Sequence, residues 1–162
     1  MSQSVRFQTR VGVTESTDLD LGTREWTPTF NVQQTWADGT SSNQSDLNYV
    51  IEGTVSSSPV DVDLQNLTKQ LGGGSLSFVE ITAIGLYNTS ASYHLYLYQS
   101  ASNPVGWLPS STYALWCAPA GSITLSNPTT GFAVGASTDN LRIASHTGAS
   151  VDYYLCLIGR SA

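Results

Sequence analysis

Two histidines, two cysteines and twelve carboxylates are the residues with which this 162-residue chain could do metal or acid–base chemistry. Their spacing argues against it. His94 and His146 belong to no HxH, HxxxH or CxxC pattern, so a zinc site has no ligand set. Cys117 and Cys156 each sit in an apolar run without a cation beside them, the setting of a buried, unreactive thiol. A disulfide would need their strands to be neighbours. No GxSxG elbow is present, and Gly72-Gly73-Gly74-Ser75 runs without a lysine into a strand pattern, unlike a phosphate-binding loop. The close acidic pairs are Glu15/Asp18, Asp18/Asp20 and Asp61/Asp63. Asp61 and Asp63 alternate with Val60 and Val62 and so share a strand face, where they could seed a Ca²⁺ site or a glycosidase pair. A solvated edge strand, protected by charge against aggregation, accounts for them more simply. The expectation is no catalytic residue, no metal, no cofactor and no enzyme activity.

Binding is left, and binding points to the aromatics. Trp107 stands in the loop ASNPVGWLPSS, with Tyr113 and Trp116 nearby in sequence. Trp107 and Tyr113 could form a platform for a sugar ring, or the rings could plug the end of a fold. A second set lies near the N-terminus. Trp26, Phe30 and Trp36 alternate with polar residues and share one face, and Val5, Phe7 and Val11 do the same in the first strand pattern. So many large apolar residues in an otherwise polar stretch must be covered, by the protein's own core or by a neighbouring subunit.

The elements that would carry these residues are strands. Ser75 to Gln99 holds two strand patterns separated by Asn88-Thr-Ser-Ala-Ser, which predicts a β-hairpin. The first of the two is apolar on both faces and belongs in mid-sheet. Tyr49 to Val55, Val60 to Asp63, Tyr113 to Cys117, Ser122 to Leu125, Gly131 to Gly135, Asn140 to Ala144 and Val151 to Ile158 read as further strands. Leu64, Leu67 and Leu71 have helical spacing, so one or two turns of helix are expected over 64–71, ended by the glycines. TESTDLDLGTRE has no period and reads as a connector. LYNTSASYHLYLYQ is echoed by IASHTGASVDYYLCLIG, which predicts a second hairpin at 140–158. The fold class is all-β: an antiparallel, jelly-roll-like β-sandwich over 49–162, preceded by an extended N-terminal arm over 1–48.

Composition agrees. Only 11% of residues are charged, Ser, Thr, Asn and Gln taking the polar role, which suits strand faces and turns better than helix surfaces. The net charge of −6, with six scattered basic residues, argues against a nucleic-acid partner. No stretch approaches the apolar length of a membrane span, and MSQSVRFQTR lacks the apolar centre of a cleaved signal. Asn43, Asn66 and Asn88 head glycosylation-type triplets, which arise by chance in so Asn/Ser/Thr-rich a chain.

The polar extended N-terminal region, NTSASYHLYLY and the closing SVDYYLCLIGRSA resemble small virion proteins of tailed bacteriophages. The nearest group is the capsid decoration or cement proteins built on a jelly roll. The resemblance covers mainly residues 75–162 and rests on texture, without a diagnostic motif. It implies a homotrimer on the capsid exterior, bound to the major capsid protein and to neighbouring copies. It brings no catalytic residue with it. Val5, Phe7, Val11, Trp26, Phe30 and Trp36 are the expected interface. The competing expectation is a carbohydrate- or receptor-binding domain of a tail fibre or spike, with Trp107 and Tyr113 as the glycan platform. A polysaccharide depolymerase working through Asp61 and Asp63 comes third.

Overall fold

The computed structural model describes the backbone of residues 5–12, 15–19, 22–26, 29–69 and 74–162, and side chains at 6, 8 and, within those ranges, from 33 onward. Among the described residues the regular elements are strands, apart from one 3-10 turn at Ser111–Tyr113. In chain order the strands are β1 (Val5–Gly12), β2 (Glu15–Leu19), β3 (Gly22–Trp26), β4 (Thr29–Trp36) and β5 (Leu47–Val55). Then come β6 (Val60–Asp63), β7 (Leu67–Thr68), β8 (Ser75–Leu76), β9 (Glu80–Asn88) and β10 (Leu95–Gln99). The last five are β11 (Leu115–Cys117), β12 (Ser122–Ser126), β13 (Phe132–Ala133), β14 (Asn140–Ser145) and β15 (Val151–Arg160).

Two antiparallel sheets face each other. One has the order β12-β9-β15-β5 with β13 alongside β9, and the other β11-β10-β14-β6. Consecutive strands β5 and β6, β9 and β10, β11 and β12, and β14 and β15 each fall in opposite sheets, the wrapping of a jelly roll. Strand alternation drives the packing. Leu155 and Leu157 of β15, Ile84 and Leu86 of β9, Leu95 and Leu97 of β10, and Leu141 and Ile143 of β14 are buried in one core between the sheets. Phe78 and Leu64 are fully buried in the same core. A bulge between Ile158 and Gly159 shifts the register so that Ile81, two residues before Ala83, still points into the core. Gly159 leaves room for this: a Cβ there would stand 2.2 Å from the Glu80 carbonyl oxygen and 2.6 Å from the Phe78 ring.

The expected hairpins are not hairpins. β9 pairs with β15 and β10 with β14, so 75–99 and 140–158 are two arches that cross between sheets and lie side by side. The internal echo is therefore a repeated sheet crossover. Asn88 enforces the first crossing. Fully buried, it donates from Nδ2 to the carbonyls of Tyr93 (2.8 Å), Ala118 (3.0 Å) and Cys117 (3.2 Å), and its Oδ1 accepts from Ser90 N–H (3.0 Å). The side chain thus meets needs that strand pairing would otherwise meet and tips the chain toward β11. The expected helix at 64–71 is also replaced, over its described part, by β7, which pairs with β8. Asp63 decides this locally. Its carboxylate accepts from Gln65 N–H (2.9 Å) and Asn66 Nδ2 (2.7 Å), an Asx-type turn that competes with a helical start. Gln70, Leu71, Gly72 and Gly73 lie outside the described residues.

The N-terminal region is a ribbon. β1 pairs with β4 over the register Val5↔Trp36 to Gly12↔Thr29, and β2 pairs with β3 from Glu15↔Trp26 to Leu19↔Gly22. The stretch read as a connector is thus a strand pair. β4 begins at Thr29, directly after the proline that cannot donate to a ladder; Pro28 itself lies outside the described residues. Neither pair joins either sheet among the described residues. Residues 37–46 are fastened to the sandwich. Asn43 N–H donates to the Pro128 carbonyl (3.0 Å), the buried Ser45 hydroxyl to the Gly159 carbonyl (2.7 Å), and Arg160 Nη1 to the Ser41 carbonyl (2.9 Å). Arg160, 2% exposed, also pairs with Glu80 at 2.6 Å.

Candidate functional site

Two outward sheet faces remain once the core is formed, and they differ in chemistry. On the β12-β9-β15-β5 sheet the outward positions include Val50, Ala83, Gly85, Tyr87, Tyr154, Cys156 and Ile158, because their inward neighbours fill the core. Trp36, the last residue of the ribbon, lies on this face. It is fully buried against Ala83 and Ile158, with Cys156 beside them. Its indole Nε1 has no hydrogen-bond partner among the described residues. Beyond Trp36 the apolar surface continues uncovered: Tyr87 and Tyr154 stack at 6.4 Å and are 44% and 43% exposed, and Val50 is 53% exposed. A shallow apolar depression of about 180 Å³ lies between Gly85, Tyr87, Ile123 and Tyr154. Burial pushes the Cys156 thiol up from its ordinary pKa.

The face of the other sheet is aromatic and polar. Register places Tyr96 between Trp116 of β11 and Ala144 of β14, and Tyr98 beside Arg142, which in turn faces Asp61 of β6. His94 precedes β10 and His146 follows β14, so the sheet delivers both imidazoles to the same end. Trp116 meets Tyr96 (4.8 Å) and His94 (5.6 Å) in T-shaped pairs and His146 (5.2 Å) in a tilted one. The Tyr96 hydroxyl and His146 Nδ1 share a hydrogen bond. Desolvation raises the Tyr96 phenol above its usual pKa. Arg142 donates to Asp61 through Nε (2.6 Å) and Nη2 (2.7 Å), a bidentate pair. Hydrogen bonding from Arg142 holds the Asp61 carboxyl below its usual pKa against the opposing effect of burial.

The residues expected to act are distributed as follows. The side chains of Val5, Phe7, Val11, Trp26 and Phe30 lie outside the described residues, and Trp36 is the anchor just described. Trp107 is half-buried, stacked on Phe132 at 4.9 Å, and donates from Nε1 to the Ala133 carbonyl (3.1 Å), so it packs against the core. Tyr113, in the 3-10 turn, is 77% exposed. Asp61 and Asp63 are both engaged, with Arg142 and with the turn at 65–66, on a strand at the sheet edge. Cys117 and Cys156 are free thiols on different sheets, one facing the core and the other outward. Asn88 is buried and Asn66 exposed. The Trp116 cluster was only half legible: Tyr96 and Tyr98 share a polar-facing side by alternation, whereas His146 and Trp116 join them through strand order alone. Among the described residues no group of three or more His, Cys, Asp or Glu could hold a metal ion, and no helix is long and apolar enough to cross a membrane. No protein-family model, curated protein or solved structure matches the chain significantly.

Proposed function

We propose that this chain is a structural virion protein, a decoration or cement protein that stabilises a phage head as a homotrimer. It binds the major capsid protein and neighbouring copies of itself on the capsid exterior. One observation carries the reading: the β1-β4 ribbon is rooted by a buried Trp36 on a sheet face whose apolar surface continues, uncovered, through Tyr87, Tyr154 and Val50. A two-stranded ribbon is marginal alone and gains stability by lying on another surface. An uncovered apolar patch beside its root supplies a contact of the same kind for a second copy. Many such interfaces engaged together resist head expansion through multivalency.

Sedimentation of the full chain tests the assembly half: a trimer is expected, and Tyr154→Lys should dissociate it. A monomer at every concentration removes the cement reading. Heads lacking the protein test the other half, since added trimer should bind them and raise their resistance to heat. A trimer that ignores heads leaves an assembly module of some other particle. A second reading, a carbohydrate- or receptor-binding domain of a tail fibre or spike, is favoured by the exposed aromatic cluster around Trp116 on the opposite sheet.

A further inference from the structure

We infer that the outer face of the β11-β10-β14-β6 sheet is a binding track for a linear, uncharged oligosaccharide, with Trp116 as its stacking ring. The site serves a head protein or a tail protein equally, so it stands apart from the capsid reading.

Trp116 is 59% exposed and packs against Tyr96, His94 and His146 at ring-centroid distances of 4.8–5.6 Å. The hydrogen bond between Tyr96 and His146 ties two of these rings to each other. A large exposed apolar ring is thus held in place by neighbours that also carry polar atoms, which suits the C–H face and the hydroxyl rim of a pyranose. The track continues. Tyr98 lies two residues further along β10 on the same face, about 7 Å on by strand geometry. Next to it opens a cleft of about 320 Å³ lined by Tyr98, Ser100, Ser110, Ser111 and Arg142. Hydroxyl, amide and guanidinium groups there suit sugar hydroxyls, and the length from Trp116 to the cleft accommodates more than one sugar ring.

Charge narrows the ligand. Arg142 and Asp61 neutralise each other as a bidentate pair, and Asp63 on the same strand is held by Gln65 and Asn66. The face therefore offers fixed hydrogen-bonding groups, its outward Arg142 is already paired with a carboxylate, and the Asp63 carboxylate disfavours an anionic uronic or sialic acid. The outward faces of the two sheets also differ in composition. The outward strand positions are Trp116, Tyr96, Tyr98, Asn140, Arg142, Ala144, Asp61 and Asp63, with no branched aliphatic side chain, whereas Val50 and Ile158 stand on the other sheet.

The test uses the full-length protein with cellohexaose, maltohexaose, chitohexaose, mannohexaose and xylohexaose as probes. Calorimetry measures affinity, and the four tryptophan indole N–H signals in NMR locate the contact. At least one probe should bind saturably and move the Trp116 signal while leaving that of Trp107 in place. Trp116→Ala should weaken binding about tenfold or more, and Trp116→Phe should retain most of it. Trp107→Phe should bind as the wild type does. The inference is overturned if no probe moves the Trp116 signal at about 10 mM, a concentration that detects even weak sites. It is also overturned if Trp116→Ala binds normally, or if that variant changes the native mass, which would make this face a protein interface.

Discussion

Trp36 joins the N-terminal ribbon to the sandwich, and its environment permits a sharp expectation. Replacing a buried tryptophan by alanine costs about 3–5 kcal/mol through lost transfer energy and the cavity left behind. Here the wild-type residue carries a burden of its own, since its buried Nε1–H has no partner among the described residues. An unsatisfied buried donor costs about 1–3 kcal/mol, and alanine relieves it. Trp36→Ala should therefore destabilise by about 2 kcal/mol, taking the middle of each range, or by roughly 4–8 °C in Tm for a chain of this size. Trp36→Phe separates the two contributions. It removes about 40 Å³ of ring volume, worth about 1 kcal/mol at 24 cal/mol per Å³. It also removes the stranded N–H, so the net change should fall within about 1 kcal/mol of zero. Urea unfolding of the full chain followed by circular dichroism measures both, without depending on the fluorescence of the residue being replaced. If phenylalanine costs as much as alanine, the indole nitrogen is satisfied and the argument about the donor fails. If alanine costs under about 1 kcal/mol, the indole is not buried against Ala83 and Ile158, and the anchor itself is refuted.

Gly159→Ala should destabilise by about 1–3 kcal/mol or more, because the new Cβ would press on backbone at the bulge; urea unfolding within about 0.5 kcal/mol of wild type would show that the bulge yields. Cys117 and Cys156 both have thiol pKa values raised chiefly by burial, so native protein at pH 8 should take up iodoacetamide far more slowly than protein in urea. Rapid native alkylation of Cys117, or an intramolecular disulfide by mass, would contradict their placement on separate sheets. Asp61 has a lowered folded pKa, so its pairing stabilises fully above the ordinary carboxylate value near 4 and is lost as pH falls through the lowered one. Asp61→Asn should therefore cost under about 1 kcal/mol at pH 7 for this part-exposed pair, and the gap to wild type should close in strong acid. A gap that widens on acidification would reverse that sign.

Alternation of apolar and polar residues was enough to read most of the sandwich strands, because a strand that buries one face must repeat every second residue. It also placed β9 in mid-sheet, from its two apolar faces, one filling the core and the other partly covered by Trp36. Alternation says nothing about which strand lies next to which. The polar break after Asn88 looks the same whether the chain turns back within a sheet or crosses to the other, and buried hydrogen bonds to Tyr93, Cys117 and Ala118 chose the crossing. Leu64, Leu67 and Leu71 have the spacing of a helix, yet the Asp63 carboxylate and the pairing of β7 with β8 made a turn and a strand there. The candidate surfaces depended on the same missing information. Trp107 and Trp116 are both tryptophans near loops, but strand order stacks one on Phe132 and sets the other toward solvent among Tyr96, His94 and His146. Side-chain type along the chain determined that rings would be available for binding. Only the pairing of β10 with β11 and β14, a contact between residues far apart in sequence, decided which rings share a surface.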